Sequence, residues 1–149
     1  MNEIRPAAVP ALVIRRTYNA PRERVFAALT TVELLRRWFG PPGIDVGEVT
    51  FDARSGGRYR IAMKTPEGEE YNVGGLITEY RAPERLAYTF RWEEDDPKTE
   101  RDTFVSIDFI DRGKQTEMVL THAGLVSEDS REVHAGGWNG ALNNIAALL

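Results

Sequence analysis

The side chains of this sequence that could carry chemistry are few and of a limited kind. None of its 149 residues is cysteine. That removes thiolate nucleophiles, disulfide frameworks, thiolate zinc sites and iron–sulfur clusters together. The only histidines, His122 and His134, stand apart with no carboxylate at ligand spacing, so neither a metal site nor a cofactor is expected. No Gly-x-Ser-x-Gly elbow is present. Gly56-Gly57 lacks the Lys-Ser/Thr and the following helix of a phosphate loop, and reads as a turn before a strand. Glu79 and Asp108 fall in strand-like runs whose faces the pattern does not resolve, and no acid–base pair emerges. No catalytic residue is therefore assigned. What stands out instead is aromatic: Trp38, Trp92 and Trp138, with Tyr59, Tyr71, Tyr88 and Phe90. Apolar walls with a few polar tips are what a small-molecule pocket needs.

These residues have to be positioned by elements the pattern reveals. Residues 11–18 alternate, with Leu12, Ile14 and Tyr18 on one face and Arg16 breaking it. Asn19 is the expected N-cap for a helix over 22–29, with Pro21 in its first turn. Thr30 or Thr31 opens a second short helix over 32–38, which Gly40-Pro41-Pro42-Gly43 stops. Strands follow over 44–51, 58–64, 70–80, 85–92, 103–110 and 115–122. Gly74-Gly75 inside the third of these suggests a bulge or a close backbone approach. The run 103–110 looks apolar on both faces. The acidic run at residues 93–98, followed by Glu100, Arg101 and Asp102, reads as a solvated hairpin loop.

The end is helical. Ser127 is the expected N-cap, with Glu128 and Asp129 favourable beside it. From there to Leu149 a helix of ~34 Å fits, enough to run the length of a sheet, with Trp138, Leu142, Ile145 and Leu149 as its apolar stripe. His134 lies one turn before Trp138, and His122 shares a strand face with Met118 and Leu120. Both read as partly buried, hydrogen-bonded imidazoles, the alternative being ligand orientation or general-base work. Gly136, Gly137 and Gly140 each cost the helix about 1 kcal/mol relative to Ala. Close helix–sheet approach is the expected compensation, and room for a ligand beside Trp138 the alternative. Strands in succession joined by short turns make an antiparallel meander, and one long helix must cover it. The expected class is α+β.

Five stretches carry a resemblance. Residues 19–29 resemble an "APxxVFxAL" opening, 34–41 an "L-x-x-W-[FW]-G-P" element, and 52–60 a "D-x-R-x-G-G-x-[YW]-R" turn and strand. Residues 83–90 resemble "PERLxxTF", and 134–142 a closing "H-x-x-G-W-x-x-x-L". In this order they resemble the family of homologues of the heat-shock-protein-ninety ATPase activator, within the START-like (SRPBCC, helix-grip) superfamily. The resemblance implies a curved seven-stranded antiparallel sheet wrapped around the C-terminal helix, with two short helices between strands 1 and 2. It also implies one domain over residues 1–149, its core from about residue 11, with residues 1–10 a flexible segment. A pocket between helix and sheet is implied as well, and fold alone does not settle its use.

The residues expected to line that pocket are Trp38, Phe39, Tyr59, Met63, Tyr71 and Tyr88. With them go Phe90, Trp92, His122, His134, Trp138 and Leu142. The leading expectation is binding of a small apolar or aromatic molecule. A polyketide or aromatic cyclase using the same pocket is the second reading, and a chaperone-cofactor-like interaction module the third. The net charge of -4 argues against nucleic acid as partner. No apolar run reaches the ~20 residues of a membrane span, and residues 1–12 do not read as a signal peptide. A cytoplasmic location is expected, and a homodimer is left open.

Overall fold

The computed structural model describes residues 9–94 and 102–149. The expected flexible start and most of the acidic run, residues 95–101, lie outside the described residues. In chain order the elements are β1 (Leu12–Tyr18), α1 (Arg22–Thr30), α2 (Val32–Trp38), β2 (Asp45–Phe51), β3 (Arg58–Lys64) and β4 (Glu70–Arg81). Then come β5 (Arg85–Trp92), β6 (Thr103–Arg112), β7 (Gln115–Ala123) and α3 (Glu128–Ile145), ending in a 3-10 turn at Ala146–Leu148. The strands form one seven-stranded antiparallel sheet in the order β1-β7-β6-β5-β4-β3-β2. Strands β2 to β7 run as an uninterrupted meander, and β1 adds to its edge beside β7 through pairs such as Ile14 with Leu120.

One face of this curved sheet is largely buried. Alternation puts Leu86, Tyr88 and Phe90 of β5 there, with Val105, Ile107 and Phe109 of β6 and Met118, Leu120 and His122 of β7. The helices cover that face, and Val25, Phe26 and Leu29 of α1 and Trp38 of α2 complete the core. The opposite face carries ion pairs. Phe104 projects outward there, 55% exposed, so β6 is apolar on both faces in composition but half-solvated in fact. Among the described residues, no helix covers its outer side.

Several local expectations need revision. Asn19 does not cap α1: its Oδ1 accepts from Gln115 Nε2 at 2.6 Å. Pro21 holds the cap position in extended backbone, its carbonyl accepting from Arg24 N at 3.0 Å. Thr31 sits at the N-cap of α2 without a side-chain bond. Gly74 and Gly75 serve a close approach, since a Cβ on Gly74 would stand 2.7 Å from the Tyr59 carbonyl oxygen and one on Gly75 would collide with that of Thr89. The register slip between β4 and β5 comes later, between Ile77 and Glu79. Ser127 does cap α3, accepting from Ser130 N at 3.1 Å.

The helix is held at its C-terminal end. Leu142 and Ile145 are fully buried. Tyr18 donates its hydroxyl to the Leu142 carbonyl at 2.9 Å, and burial pushes that phenol up to about 12, against a smaller opposing effect of Arg16. Arg16, the residue that broke the β1 pattern, reaches across to Asn143 Oδ1 at 2.6 Å and Asn139 Oδ1 at 2.8 Å. Among the described residues, no helix is long and apolar enough to cross a membrane.

Candidate functional site

The N-terminal half of α3 is built differently. Its buried residues, Trp138, Ala141, Leu142 and Ile145, all lie in the later half. Under the earlier turns is a cavity of about 750 Å³. The α2–β2 loop contributes Phe39, Pro41 and Ile44, and β3 and β4 contribute Met63 and Tyr71. Phe90 and Trp92 come from β5, Leu125 and Val126 from the β7–α3 loop. The helix supplies Val133, His134, Trp138 and Ala141.

The helical glycines divide between two jobs. A Cβ on Gly136 or Gly137 would meet nothing within 4 Å, and both residues line the cavity. Close helix–sheet approach is therefore not their reason, and the space they leave is part of the cavity. Gly140 does serve a close approach, but to a loop: its Cβ would stand 3.0 Å from Pro41 Cβ.

Phe90 is the centre of the aromatic wall. Its ring centroid is 5.5 Å from that of Trp92, 5.8 Å from Trp138, 4.8 Å from His122 and 6.0 Å from His134. Phe39 meets Trp138 edge-on at 6.0 Å. Such edge and tilted contacts suit the charge distribution of the rings.

The polar tips of this wall are bonded to one another. Trp138 Nε1 donates to His122 Nδ1 at 3.0 Å. His122 Nε2 therefore carries the ring proton and donates to Thr103 Oγ1 at 2.7 Å, while Thr103 donates to the Phe90 carbonyl at 2.7 Å. A second pair repeats the motif. Trp92 Nε1 donates to His134 Nε2 at 3.0 Å, and His134 Nδ1 donates to the Ser130 carbonyl at 2.7 Å. Each imidazole thus accepts one indole N–H and is held in one tautomer. Burial, and secondarily the nearby His134, push the His122 ring down to about 3 from 6.5.

Of the residues expected to line a pocket, Phe39, Met63, Tyr71, Phe90, Trp92, His134 and Trp138 border the cavity. The other five stand elsewhere in the core. Trp38 donates to the Ala28 carbonyl at 2.7 Å. Tyr59 donates to the Thr89 carbonyl at 2.6 Å and meets the ring of Tyr88 at 4.9 Å. Burial raises both phenols well above their usual value, for Tyr59 with smaller contributions from Tyr88 and Asp102. His122 backs Trp138, and Leu142 lies beneath the anchored half of α3. Pattern reading missed Pro41, Ile44, Leu125, Val126 and Val133. They sit in loops or on an exposed helix face, where no periodicity points inward.

The strand carboxylates belong to the outer face. Arg85 binds Glu79 at 2.9 Å and Asp108 at 2.7 Å. The hydrogen bond from Arg85 holds the Glu79 carboxyl below the usual carboxylate range, against a smaller effect of burial. Charged groups at the cavity are confined to its rim, where Lys64, Glu94 and Glu132 are exposed. Glu94 is tied to Asn72, accepting from its backbone N at 2.6 Å and from Nδ2 at 3.0 Å. Among the described residues no three His, Asp or Glu side chains cluster as a metal site.

A curved antiparallel sheet closed on a C-terminal helix defines the helix-grip, START-like class. The chain belongs to the family of activator of Hsp90 ATPase homolog 1-like proteins, whose model matches residues 19–149. No curated protein matches it. Among solved structures it is similar to protein CV1439 from Chromobacterium violaceum, with 27% identity and a TM-score of 0.86, covering 93% of this chain and 96% of that one. It is also similar to the AHSA1 protein of Silicibacter pomeroyi, with 26% identity and a TM-score of 0.82, covering 92% and 95%. Protein Ms6760 from Mycobacterium smegmatis matches at 25% identity and a TM-score of 0.78, covering 93% and 90%.

Proposed function

We propose that this protein binds a small apolar or aromatic molecule in the cavity beneath the N-terminal half of α3. The observation that carries the reading is a space of about 750 Å³ walled by Phe39, Phe90, Trp92 and Trp138. Its size falls in the ~300–1,000 Å³ range of small-molecule sites. Removing apolar ligand surface from water supplies ~25 cal/mol per Å² before the costs of association. Binding is favoured over acid–base catalysis because both imidazoles are already occupied on both ring nitrogens, and the strand carboxylates Glu79 and Asp108 face away. The family name refers to activation of a chaperone ATPase, and the walled cavity favours a small molecule over that role.

Trp92 and Trp138 line the space, so intrinsic fluorescence reports its occupancy. The test is a panel of fatty acids, sterols and aromatic metabolites followed by tryptophan fluorescence and thermal unfolding. A ligand at 100 times its Kd adds ~2.7 kcal/mol to stability, which shifts Tm by several degrees. A panel that changes neither signal at saturating concentration overturns the reading.

A further inference from the structure

Resting on small-molecule binding in that cavity, we infer that Tyr88 is a specificity-determining residue, whose free hydroxyl donates to an oxygen acceptor carried at the inner end of the bound molecule. The other aromatic tips of the inner face are spent within the protein. Tyr18 donates to the Leu142 carbonyl, Trp38 to that of Ala28 and Tyr59 to that of Thr89. The Trp92 and Trp138 N–H groups go to His134 and His122. Tyr88 is the exception. It is 7% exposed, yet its hydroxyl has no hydrogen-bond partner among the described residues. Its ring meets Tyr59 edge-on at 4.9 Å. Its cross-strand neighbours Ile77 and Val105 are buried hydrocarbons that offer no side-chain acceptor. Burial alone raises this phenol well above its usual value, with no charge or bond acting beside it.

A buried hydroxyl without a partner costs stability unless something that enters the fold matches it. The Tyr88 hydroxyl is open to such a match. Among the described residues, the side-chain nitrogens and oxygens sealed away without a partner are Arg22 Nε and Arg131 Nε. Tyr88 Oη is not one of them, so it borders space that a water-sized group can occupy. Tyr88 also precedes Phe90 by one pleat, ~7 Å, on the same face of β5, and Phe90 borders the cavity. A molecule seated against Phe90 reaches the phenol by extending one pleat further in. Both imidazoles are filled on both ring nitrogens, which leaves Tyr88 to supply the inner donor.

The experiment pairs para-butylacetophenone with para-butyl-α-methylstyrene, isosteres in which a methylidene group replaces the carbonyl oxygen. Both are titrated by calorimetry into the native protein, Tyr88→Phe and Tyr18→Phe. The expected result is that the affinity ratio of ketone to alkene falls roughly tenfold in Tyr88→Phe and by less than about threefold in Tyr18→Phe. Without ligand the two variants should part company. Tyr18→Phe loses the bond to Leu142 and lowers the unfolding midpoint, whereas Tyr88→Phe removes an unpartnered hydroxyl and leaves the midpoint unchanged or raised. Should Tyr88→Phe not fold, the infrared carbonyl band of the ketone bound to the native protein carries the test. It is expected below its position in hexane, as for an oxygen that accepts a hydrogen bond.

An unchanged ratio in Tyr88→Phe, an unshifted carbonyl band, or a midpoint lowered as far as in Tyr18→Phe overturns the inference and leaves small-molecule binding standing. Silence from both isosteres while other compounds of the wider panel bind has the same meaning. Silence from every compound overturns the binding reading itself.

Discussion

Residues 138–145 of α3 are seated in the core, with Leu142 and Ile145 fully buried and Arg16, Tyr18 and Trp38 bonded to the helix. Residues 128–137 bury no side chain, and Val133 is 73% exposed. One continuous helix thus behaves as an anchor and a cantilever. The anchored half is where apolar burial supplies stability. The free half is held off the sheet by Trp138 and His134, whose bulk spans the gap to Phe90, Trp92 and His122. The cavity is therefore maintained by rigidity elsewhere, because a helix that also packed at residues 128–137 would have no space beneath it.

The comparison breaks most visibly if the two halves respond alike to truncation. Leu142→Ala is expected to cost ~2–5 kcal/mol, transfer and cavity terms together. Val133→Ala should stay within ~0.5 kcal/mol. Urea denaturation of the two variants measures the contrast, and comparable losses would abolish it.

The next effect follows acid through the polar link between the halves. His122 is held down to about 3 in the fold from 6.5, so below about 6.5 the unfolded chain binds a proton that the folded chain refuses. Its stabilising contribution is complete above that pH and declines by up to ~1.4 kcal/mol per pH unit towards pH 3. A pH series of denaturation midpoints should show this slope, and His122→Gln should flatten it by one proton. An unchanged slope would mean that the ring is not held neutral by burial.

The glycines sharpen the contrast with a single type of substitution. Gly136→Ala and Gly137→Ala should each stabilise by up to ~1 kcal/mol, because a Cβ there meets open space. Gly140→Ala should instead cost about that much, since its Cβ presses on the rigid rings of Pro41 and Pro42. Thermal unfolding of the three variants gives opposite signs if the cavity is real and equal signs if it is not. The smallest effect belongs to Arg16→Ala. Loss of its bonds to Asn139 and Asn143 should cost about 1 kcal/mol while leaving ligand affinity unchanged, as read by denaturation and by fluorescence titration.

Much of the scaffold was legible because its signals are local. Period-two alternation marked the strands, Gly40-Pro41-Pro42-Gly43 ended α2, and Ser127 announced α3. Asn19 misled because a side chain two residues before Pro21 found a distant partner, Gln115. Of the site, the aromatic members Phe90, Trp92 and Trp138 were legible by type and register. Tyr59 and Tyr88 have the same type and alternate on the same face, yet they pack against each other instead. Loop residues such as Pro41 and Leu125 carry no periodic signal, and Ile44, expected to open a strand, stands one residue before β2, so nothing local marks them as lining residues.

Composition and pattern by themselves determined an α+β chain of strands and one long helix, without thiol chemistry, with its polar reactivity confined to two histidines, carboxylates and tyrosines. Those are properties of spacing and residue type, and they survive without any long-range contact. Long-range packing makes His122 and His134 each accept an indole N–H, turns Glu79 and Asp108 outward to Arg85, and lets Gly136 and Gly137 open space while Gly140 fills it. Each of these depends on which residues distant in sequence come within a few ångströms, and the seating of one end of α3 on β1 and α2 settles that for the other end.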